Sequence, residues 1–226
     1  MRGRGARAVA RAFRRYLVAE FLSIHPDNPQ PRLIRRAVEQ LRAGAVMAYP
    51  TDSCYALGSI LDHKAAAERI SRIRQFDKHH LFTLVCRDLS EIARYARVDN
   101  RQYRALKAST PGPYTFILRA TKQAPRRLLH EKRKTIGLRV PDSNIVAAML
   151  DELGDAISSC TLILPPDDTP VAHPDDAREQ LDRAVDVVIE GGDCGVEPTT
   201  VIDWSEELPV ITRAGRGAAA WEERIV

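Results

Sequence analysis

The sequence predicts a single α/β domain built on an open, twisted, mixed β-sheet with helices packed against it. Short apolar runs typical of strands alternate with segments whose apolar residues recur at helical spacing. Several predicted strands follow one another without an intervening helix, which favours a mixed sheet over a strictly doubly wound parallel one. The 226 residues are enough for one sizeable core, and we find no internal repeat or low-complexity linker.

Apolar periodicity locates the predicted helices and strands. The first helix covers 33–41, and Gly44 follows it as a C-terminal stop. Further helices are predicted at 65–73, as two short patterns within 92–106, and at 145–153. The folded part is predicted to begin near residues 21–24. The remaining predicted strands lie at 45–49, 82–86, 115–118, 136–140, 156–164, 185–189, 200–203 and 210–212.

The N-terminus is strongly basic. Six arginines and no acid occur in the first fifteen residues, and without these six the formal charge of +4 becomes −2. We expect residues 1–20 to form a flexible basic extension and residues 21–226 to form the folded domain. The extension lacks the apolar stretch of a secretory signal, so a transit-like arm, an RNA-binding arm and a segment without function remain open.

The composition favours a cytoplasmic protein. No apolar run approaches the roughly 18 residues that a membrane-spanning helix requires. The cysteines contain no C-x-x-C pair, which indicates reduced thiols and disfavours a disulfide framework or a zinc site. These four scattered residues are Cys54, Cys86, Cys160 and Cys194.

Two turn-rich segments combine hydroxyl groups with a predicted strand end. Residues 49–58 read YPTDSCYALG, in which Pro50 stops a strand and small polar side chains follow. Residues 110–115 read TPGPYT, in which two prolines restrict the backbone. Such turns commonly hold ligands in open α/β sheets, but the same side chains also satisfy amides of their own turn. Both interpretations remain open from the residues alone.

The stretch 119–139 carries many cations and one acid, Glu131. This sign bias predicts a positive field that attracts phosphates, either of a nucleotide or of an RNA backbone. Thr199, Thr200 and Arg213 lie at the ends of two later strands, where an arginine and hydroxyl groups can grip a phosphate. The cations of the stretch are Arg119, Lys122, Arg126, Arg127, Lys132, Arg133, Lys134 and Arg139.

Several common catalytic and nucleotide-binding motifs are missing from the sequence. It contains no G-x-x-x-x-G-K-[ST] loop, no G-x-G-x-x-G turn and no G-x-S-x-G elbow. His79 and His80 are adjacent, which is a poor spacing for two ligands of one metal ion on a regular element. A nucleotide site, if present, therefore uses a less common framework.

Four ordered segments together resemble the YrdC/YciO family, whose best-known members are threonylcarbamoyl-AMP synthases. YPTDSCYALG resembles the family's Y-P-T-[ED]-[ST]-x-Y-[GA]-L-G opening, and PGPYTFIL its P-G-P-x-T loop. KTIGLRVPD resembles the G-x-R-x-P strand, and PTTVID with ITRAG resembles the family's [ST]-T-V-[IV]-D…R-x-G ending. The resemblance extends from about residue 24 to residue 215 and implies the YrdC-type open sheet with a large basic cavity.

The resemblance also implies a reaction and a set of site residues. The synthases join L-threonine, bicarbonate and ATP, with Mg²⁺ accompanying the ATP, into threonylcarbamoyl-AMP, which serves tRNA modification, and pyrophosphate is released. By this analogy Thr51, Arg139 and Ser159 hold the threonine. The nucleotide is expected to contact Arg74, Thr115, Thr161, Thr200 and Arg213.

Departures from the synthase pattern resemble the YciO subgroup. Where synthases carry K-x-R-P…K-P-L, this chain has Arg74, Phe76 and His80 in place of the first lysine, the arginine and the second lysine. Val85 stands where synthases place a histidine, and Ile163 replaces the asparagine of their S-x-S-A-N segment.

These departures leave three functional hypotheses open. The first is an ATP-dependent synthase-like nucleotidyltransferase, and the second is a weakly catalytic or non-catalytic protein that binds tRNA or double-stranded RNA through the same basic cavity. In that case Arg126, Arg127, Lys132, Arg133 and Lys134 form the phosphate patch. The third is a sensor that binds ATP or AMP without turnover.

Overall fold

The computed structural model describes residues 18–76, 81–181 and 183–225, so the arginine-rich residues 1–17 lie outside the described part. Ten strands in the described residues form one sheet, with the order β1-β8-β2-β3-β7-β4-β6-β5-β9-β10. The strands are β1 (Glu20–Ser23), β2 (Met47–Tyr49), β3 (Ala56–Ile60), β4 (Thr83–Val85), β5 (Tyr114–Arg119), β6 (Thr135–Arg139), β7 (Ile157–Thr161), β8 (Val187–Glu190), β9 (Thr200–Asp203) and β10 (Val210–Arg213).

Helices flank this sheet in the described residues. A single 3₁₀ turn, Arg126–Leu128, lies in the long connection between β5 and β6. The α-helices are α1 (Pro31–Arg42), α2 (Lys64–Arg74), α3 (Leu89–Tyr95), α4 (Asn100–Ser109), α5 (Asn144–Leu153), α6 (Pro174–Leu181) and α7 (Ala218–Ile225).

The sheet is mixed, which confirms the predicted fold class. Parallel pairs join β1 to β8, β2 to β8, β4 to β6 and β5 to β9. The remaining pairs, β2–β3, β3–β7, β4–β7, β5–β6 and β9–β10, are antiparallel. Predicted strands without an intervening helix, such as β9 and β10, are the antiparallel neighbours that a mixed sheet requires.

Two hydrophobic clusters lie on opposite faces of the sheet. Met47 and Tyr49 of β2 belong to a cluster that contains the buried residues of α1 and α5, whereas Ala48 between them belongs to the other cluster. This alternation follows from the period of two along a strand. The apolar face of α1 is the one that its periodicity predicts and consists of Ile34, Ala37, Val38 and Leu41.

The face of the sheet that packs against α1 and α5 is apolar on one side and lines a cavity on the other. Val85 of β4 and Ile157 of β7 still pack in the α1–α5 cluster. Thr83 lies two positions before Val85 on β4, and Ser159 lies two positions after Ile157 on β7, so both are on this same face. Thr83 and Ser159 are paired with each other and line a cavity. The half of this face formed by β4, β5, β6, β7 and β9 is therefore open to a ligand where the other half is covered by helices.

The turn after β10 packs tightly on the segment that enters β9. The hydroxyl group of Thr200 donates to the carbonyl oxygen of Gly215 at 2.8 Å, and the amide of Arg216 donates to the carbonyl oxygen of Pro198 at 2.9 Å. A Cβ atom on Gly215 would lie 2.2 Å from that Pro198 oxygen. Glycine is required here because no side chain fits between the two backbone segments.

We expect Gly215→Ala to lower the free energy of unfolding by about 1–3 kcal/mol, because an inserted methyl group forces backbone shifts. Urea denaturation measures this change. The control is Gly137→Ala, whose new methyl group would meet nothing nearer than 3.4 Å and is expected to leave stability nearly unchanged. Equal midpoints for Gly215→Ala and the wild type would contradict the close approach.

Candidate active site: an arginine-lined cavity

Alternating residues of five strands line a cavity of about 240 Å³ on the open half of the sheet. On β5, Thr115 and Ile117 face the cavity while Phe116 is buried in the hydrophobic cluster on the other face. Thr135, Gly137 and Arg139 of β6, Ser159 and Thr161 of β7, and Thr199 and Val201 at the start of β9 also line it. The sequence signal for the site is partial, because apolar or small residues (Ile117, Gly137 and Val201) are interspersed among the polar residues at these cavity-facing positions.

The charged side chains that line the cavity in the described ranges are all positive. Four arginines and no aspartate or glutamate line the cavity among the described residues. Burial lowers the pKa of Arg213, and the like charge of Arg139 acts in the same direction. An anion in the cavity relieves this repulsion, so the electrostatics favour a phosphate or carboxylate ligand. The four arginines are Arg74, Arg133, Arg139 and Arg213.

Arg139 is held by the loop between β2 and β3. One of its terminal nitrogens contacts a carboxylate oxygen of Asp52, and the other donates to the Ser53 hydroxyl group at 3.4 Å. The side chains of both Arg139 and Asp52 are only 10% exposed. Arg139 Nε and the second carboxylate oxygen of Asp52 are buried without a hydrogen-bond partner in the described residues. A ligand that satisfies Arg139 Nε removes a cost of desolvation.

Thr51 and Ser159 line the same part of the cavity but already have protein partners. The Thr51 hydroxyl group donates to the Cys54 carbonyl oxygen at 2.7 Å. It also lies within hydrogen-bond distance of Ser53 in the same turn. The Tyr49 hydroxyl group donates to Ser159 Oγ at 2.6 Å, and burial raises the pKa of Tyr49 to about 12. Thr51 therefore stabilises its own turn and also contributes to the cavity wall.

Thr199 connects two of the predicted site residues. Arg213 donates to the Thr199 carbonyl oxygen at 2.9 Å and to its hydroxyl oxygen at 3.1 Å. The hydroxyl oxygens of Thr199 and Thr115 are 2.9 Å apart. Thr200, which the resemblance implied, does not line the cavity; its hydroxyl group bonds to the turn after β10. The strand-end pattern indicated both Thr199 and Thr200 as phosphate contacts, and the resemblance implied Thr200, because the sequence does not give the parity of β9.

Arg74 forms a second side of the cavity at the end of α2. It donates to the carbonyl oxygen of Ile163, and its guanidinium group lies 4.7 Å from the centre of the Phe76 ring. Phe76 in turn packs edge-on against Phe82, with ring centres 6.2 Å apart. Arg74 Nε is buried without a hydrogen-bond partner in the described residues, as is the Thr135 hydroxyl oxygen. Residues on both sides of the cavity therefore carry a buried polar atom that has no partner in the described residues.

The predicted phosphate patch divides into two parts. Arg133 lines the cavity and is paired with Asp203 at 2.5 Å. The other four cations lie outside the cavity on the exposed connection between β5 and β6. None of these four side chains forms an ion pair with the part of the chain that the structure describes. They are Arg126, Arg127, Lys132 and Lys134.

The cysteines are poor nucleophiles in this fold. All four are free thiols, and Cys54 and Cys160 lie at the cavity. Burial raises the pKa of Cys54 and raises that of Cys160 to about 12, so both are protonated at neutral pH. Thiolate catalysis does not fit this site.

The lining does not provide a protein-held metal site. Over the described ranges, no cluster of three or more histidine, cysteine, aspartate or glutamate residues is suited to a metal ion. Mg²⁺ prefers carboxylate and phosphate oxygens, and the carboxylates of Asp52 and Asp203 are paired with the lining residues Arg139 and Arg133. The expected Mg²⁺ is therefore not assigned to residues of this chain. No helix within residues 18–76, 81–181 or 183–225 is long and apolar enough to cross a membrane.

The fold is an open mixed α/β sheet, and the cavity on one face of it is lined by four arginines of the described residues. Comparison with known proteins makes this more specific: residues 39–215 match the Sua5/YciO/YrdC family, described as "Telomere recombination". The chain belongs to this family.

Proteins of the YciO type are among its relatives. An uncharacterized protein of Haemophilus influenzae is 54% identical over 204 residues, which cover 90% of this chain and 99% of that protein. The uncharacterized protein YciO of Escherichia coli is 52% identical over 200 residues, covering 88% and 97%. The crystal structure of E. coli YciO has a TM-score of 0.84 and covers 88% of this chain and 96% of that one. These relatives confirm the predicted similarity to YciO.

The synthases are more distant relatives. The threonylcarbamoyl-AMP synthase of Halorhodospira halophila is 29% identical over 180 residues, which cover 79% of this chain and 93% of that enzyme. The similarity to YciO is therefore greater than the similarity to this synthase.

Gly137 provides a test of where the ligand lies. A Cβ atom on Gly137 would project between the side chains of Thr83 and Thr115, 3.4 and 3.7 Å from their nearest atoms. We expect Gly137→Val to fold but to weaken binding of an anionic ligand at least about tenfold, because the added methyl groups occupy the cavity. Calorimetric titration with ATP or inorganic pyrophosphate measures this effect. Undiminished affinity in a folded variant would place the ligand elsewhere.

Proposed function

We propose that this protein is an ATP-dependent enzyme of the L-threonylcarbamoyl-AMP synthase type. The reaction joins L-threonine, bicarbonate and ATP into threonylcarbamoyl-AMP, with release of pyrophosphate, and its product serves tRNA modification. The observation that carries the proposal is a cavity lined, among the described residues, by four arginines and no acid, with buried Nε donors of Arg74 and Arg139 that lack a partner in the same part of the chain. The relationship to a threonylcarbamoyl-AMP synthase supports it.

The chemistry requires several anions to meet in one place. The threonine carboxylate, the carbamate formed from its amino group, and the triphosphate repel one another in water. Fixed guanidinium groups and hydroxyl donors offset this repulsion and stabilise the charge that develops at the reacting phosphorus. The described residues of the cavity supply both kinds of group and include no acid that would oppose them.

We assign two groups of cavity residues to the two substrates. Arg139, beside Thr51 and Ser159, binds the threonine carboxylate. Arg213 and Thr115 bind the phosphates, and Thr199 takes the position expected of Thr200. Arg74 and Thr161 complete the nucleotide side. Mg²⁺ enters with the triphosphate and neutralises part of its charge.

The departures from the synthase pattern predict a modified nucleotide side. The Ile163 side chain lines the cavity, and the Ile163 carbonyl oxygen accepts from Arg74, so part of this guanidinium group is already used. Val85 is buried in the α1–α5 cluster and cannot contact a substrate. His80 lies outside the described residues. We therefore propose slower turnover than that of the synthases.

The first experiment measures pyrophosphate release with ATP, Mg²⁺, bicarbonate and L-threonine. Release is expected to require threonine and to fall at least about tenfold in Arg139→Ala, because a hydrogen bond from a charged group contributes about 1.5–3 kcal/mol. Thr51→Ala is expected to reduce it less, since its hydroxyl group has other partners. Arg126→Ala, an exposed arginine outside the cavity, is the matched control and is expected to retain full activity.

Folding must be checked in the same variants. Arg139→Ala leaves the Asp52 carboxylate buried without its partner, which destabilises a protein by about 3–5 kcal/mol. Arg213→Gln removes no ion pair and serves as a second test of the cavity, with thermal melting recorded for each variant. No release above a threonine-free blank from folded wild-type protein would overturn the synthase proposal. ATP binding without release would favour the nucleotide sensor.

The second candidate function is binding of tRNA or double-stranded RNA. It is favoured by one observation: Arg126, Arg127, Lys132 and Lys134 are exposed and have no ion-pair partner in the described residues, and they lie on the connection that leads to Arg133 at the cavity. Such a patch grips phosphates with little regard to sequence.

A salt series tests the RNA-binding candidate. For Arg126→Ala/Arg127→Ala, the slope of log affinity against log salt concentration is expected to fall by about one for each cation removed. The control is Arg32→Ala/Arg35→Ala, which removes two exposed arginines of α1 and is expected to leave the slope unchanged. Equal slopes in the two variants would show that the patch does not contact RNA.

A further inference from the structure

We propose that Thr199 is a positioning residue that turns the hydroxyl hydrogen of Thr115 toward the ligand. The inference rests on the proposed function in one respect, that the cavity binds an anionic substrate. It concerns a contact chain of three residues, Arg213, Thr199 and Thr115, which begins at a cation and ends at the cavity wall. Thr199 and Thr115 are 4% and 7% exposed, so water competes little for their hydroxyl groups.

The first residue of this series of contacts, Arg213, is fixed in place. Arg213 donates from Nε and one terminal nitrogen to the Thr199 carbonyl oxygen at 3.2 and 2.9 Å. The same terminal nitrogen donates to the Thr199 hydroxyl oxygen at 3.1 Å. Because the two carbonyl contacts do not depend on the side chain of Thr199, the guanidinium group stays anchored when only that hydroxyl group is removed.

The positive charge sets the direction of the next hydrogen bond. A hydroxyl group has one hydrogen to donate and two lone pairs that accept. The lone pair of Thr199 toward Arg213 is occupied, and the guanidinium charge repels the hydroxyl hydrogen. That hydrogen therefore points to Thr115 Oγ1, 2.9 Å away. Polarisation by the cation strengthens this bond.

Thr115, the last residue of this series of hydrogen bonds, is then a donor. Since Thr115 Oγ1 accepts from Thr199, the hydrogen of Thr115 is available to a ligand in the cavity. The methyl group of Thr115 lies toward Gly137, 3.7 Å from where a Cβ atom there would be, which limits rotation of the side chain. Thr115 is thus presented to phosphate or carboxylate oxygens as a donor and disfavours ligand groups that themselves donate.

The test separates orientation from structure by comparing Thr199→Val with Thr199→Ser. Valine keeps the shape and removes the hydroxyl group, whereas serine keeps it. Isothermal titration with ATP is expected to show a loss of affinity of about tenfold for Thr199→Val and less than about twofold for Thr199→Ser. Thr115→Val and the double variant complete a double-mutant cycle.

The cycle decides whether Thr199 acts through Thr115. The double variant is expected to bind ATP about as weakly as Thr115→Val alone, because the two hydroxyl groups form one unit. Additive losses, or wild-type affinity in a folded Thr199→Val variant, would overturn the proposed orientation while leaving the proposed function intact. Failure of the wild type to bind ATP would instead overturn the proposed function. In that case, the same variants are titrated with inorganic pyrophosphate to test the orientation of the Thr115 hydroxyl group. If pyrophosphate does not bind either, the proposed orientation is overturned as well.

Discussion

The buried ion pair between Arg139 and Asp52 is the constraint on which the site depends. The ion pair joins the end of β6 to the loop between β2 and β3. In the sheet, β7 and β4 lie between β3 and β6. Arg216 donates to the Asp52 carbonyl oxygen at 2.5 Å and so fastens the C-terminal segment to the same loop. Three distant parts of the chain therefore meet at the cavity.

The ion pair also explains why the cavity favours an anion. Removing two charges from water has a large cost, which is offset only when each charged group finds further partners. Asp52 and Arg139 each retain one buried atom without a partner in the described residues. A carboxylate or phosphate beside Arg139 Nε completes the coordination of the guanidinium group, so ligand binding and the stability of this loop are expected to be coupled.

Much of the architecture was predictable because it depends on local patterns. The strands at 115–118 and 136–140 and the buried face of α1 follow from apolar periodicity and agree with β5, β6 and α1. β3 was missed because its sequence, ALGSI, directly follows a turn and was interpreted as part of the motif. The sequence does not indicate α6 because PDDAREQL buries only Ala177 and Leu181. It does not indicate α7 because AAAWEERI has too few large apolar residues to show a helical period.

The site was harder to predict because it depends on strand register. The motifs identified Thr115, Arg139 and Arg213, which line the cavity. They did not distinguish Thr199 from Thr200, since a shift of one residue moves a side chain to the opposite face of a sheet. The local bonds of Thr51 and the pairing of Arg133 with Asp203 likewise depend on tertiary contacts that no spacing encodes.

The order of the strands has a consequence for how the chain folds during synthesis. β8 lies between β1 and β2, so that residues 187–190 pair with residues 20–23 and 47–48. Until β8 leaves the ribosome, β1 and the adjacent side of β2 lack the strand that joins them. Contacts of such long sequence separation slow folding, and unpaired strand edges invite association with other chains. A fragment that ends before β8 is therefore expected to aggregate, however complete its helices are.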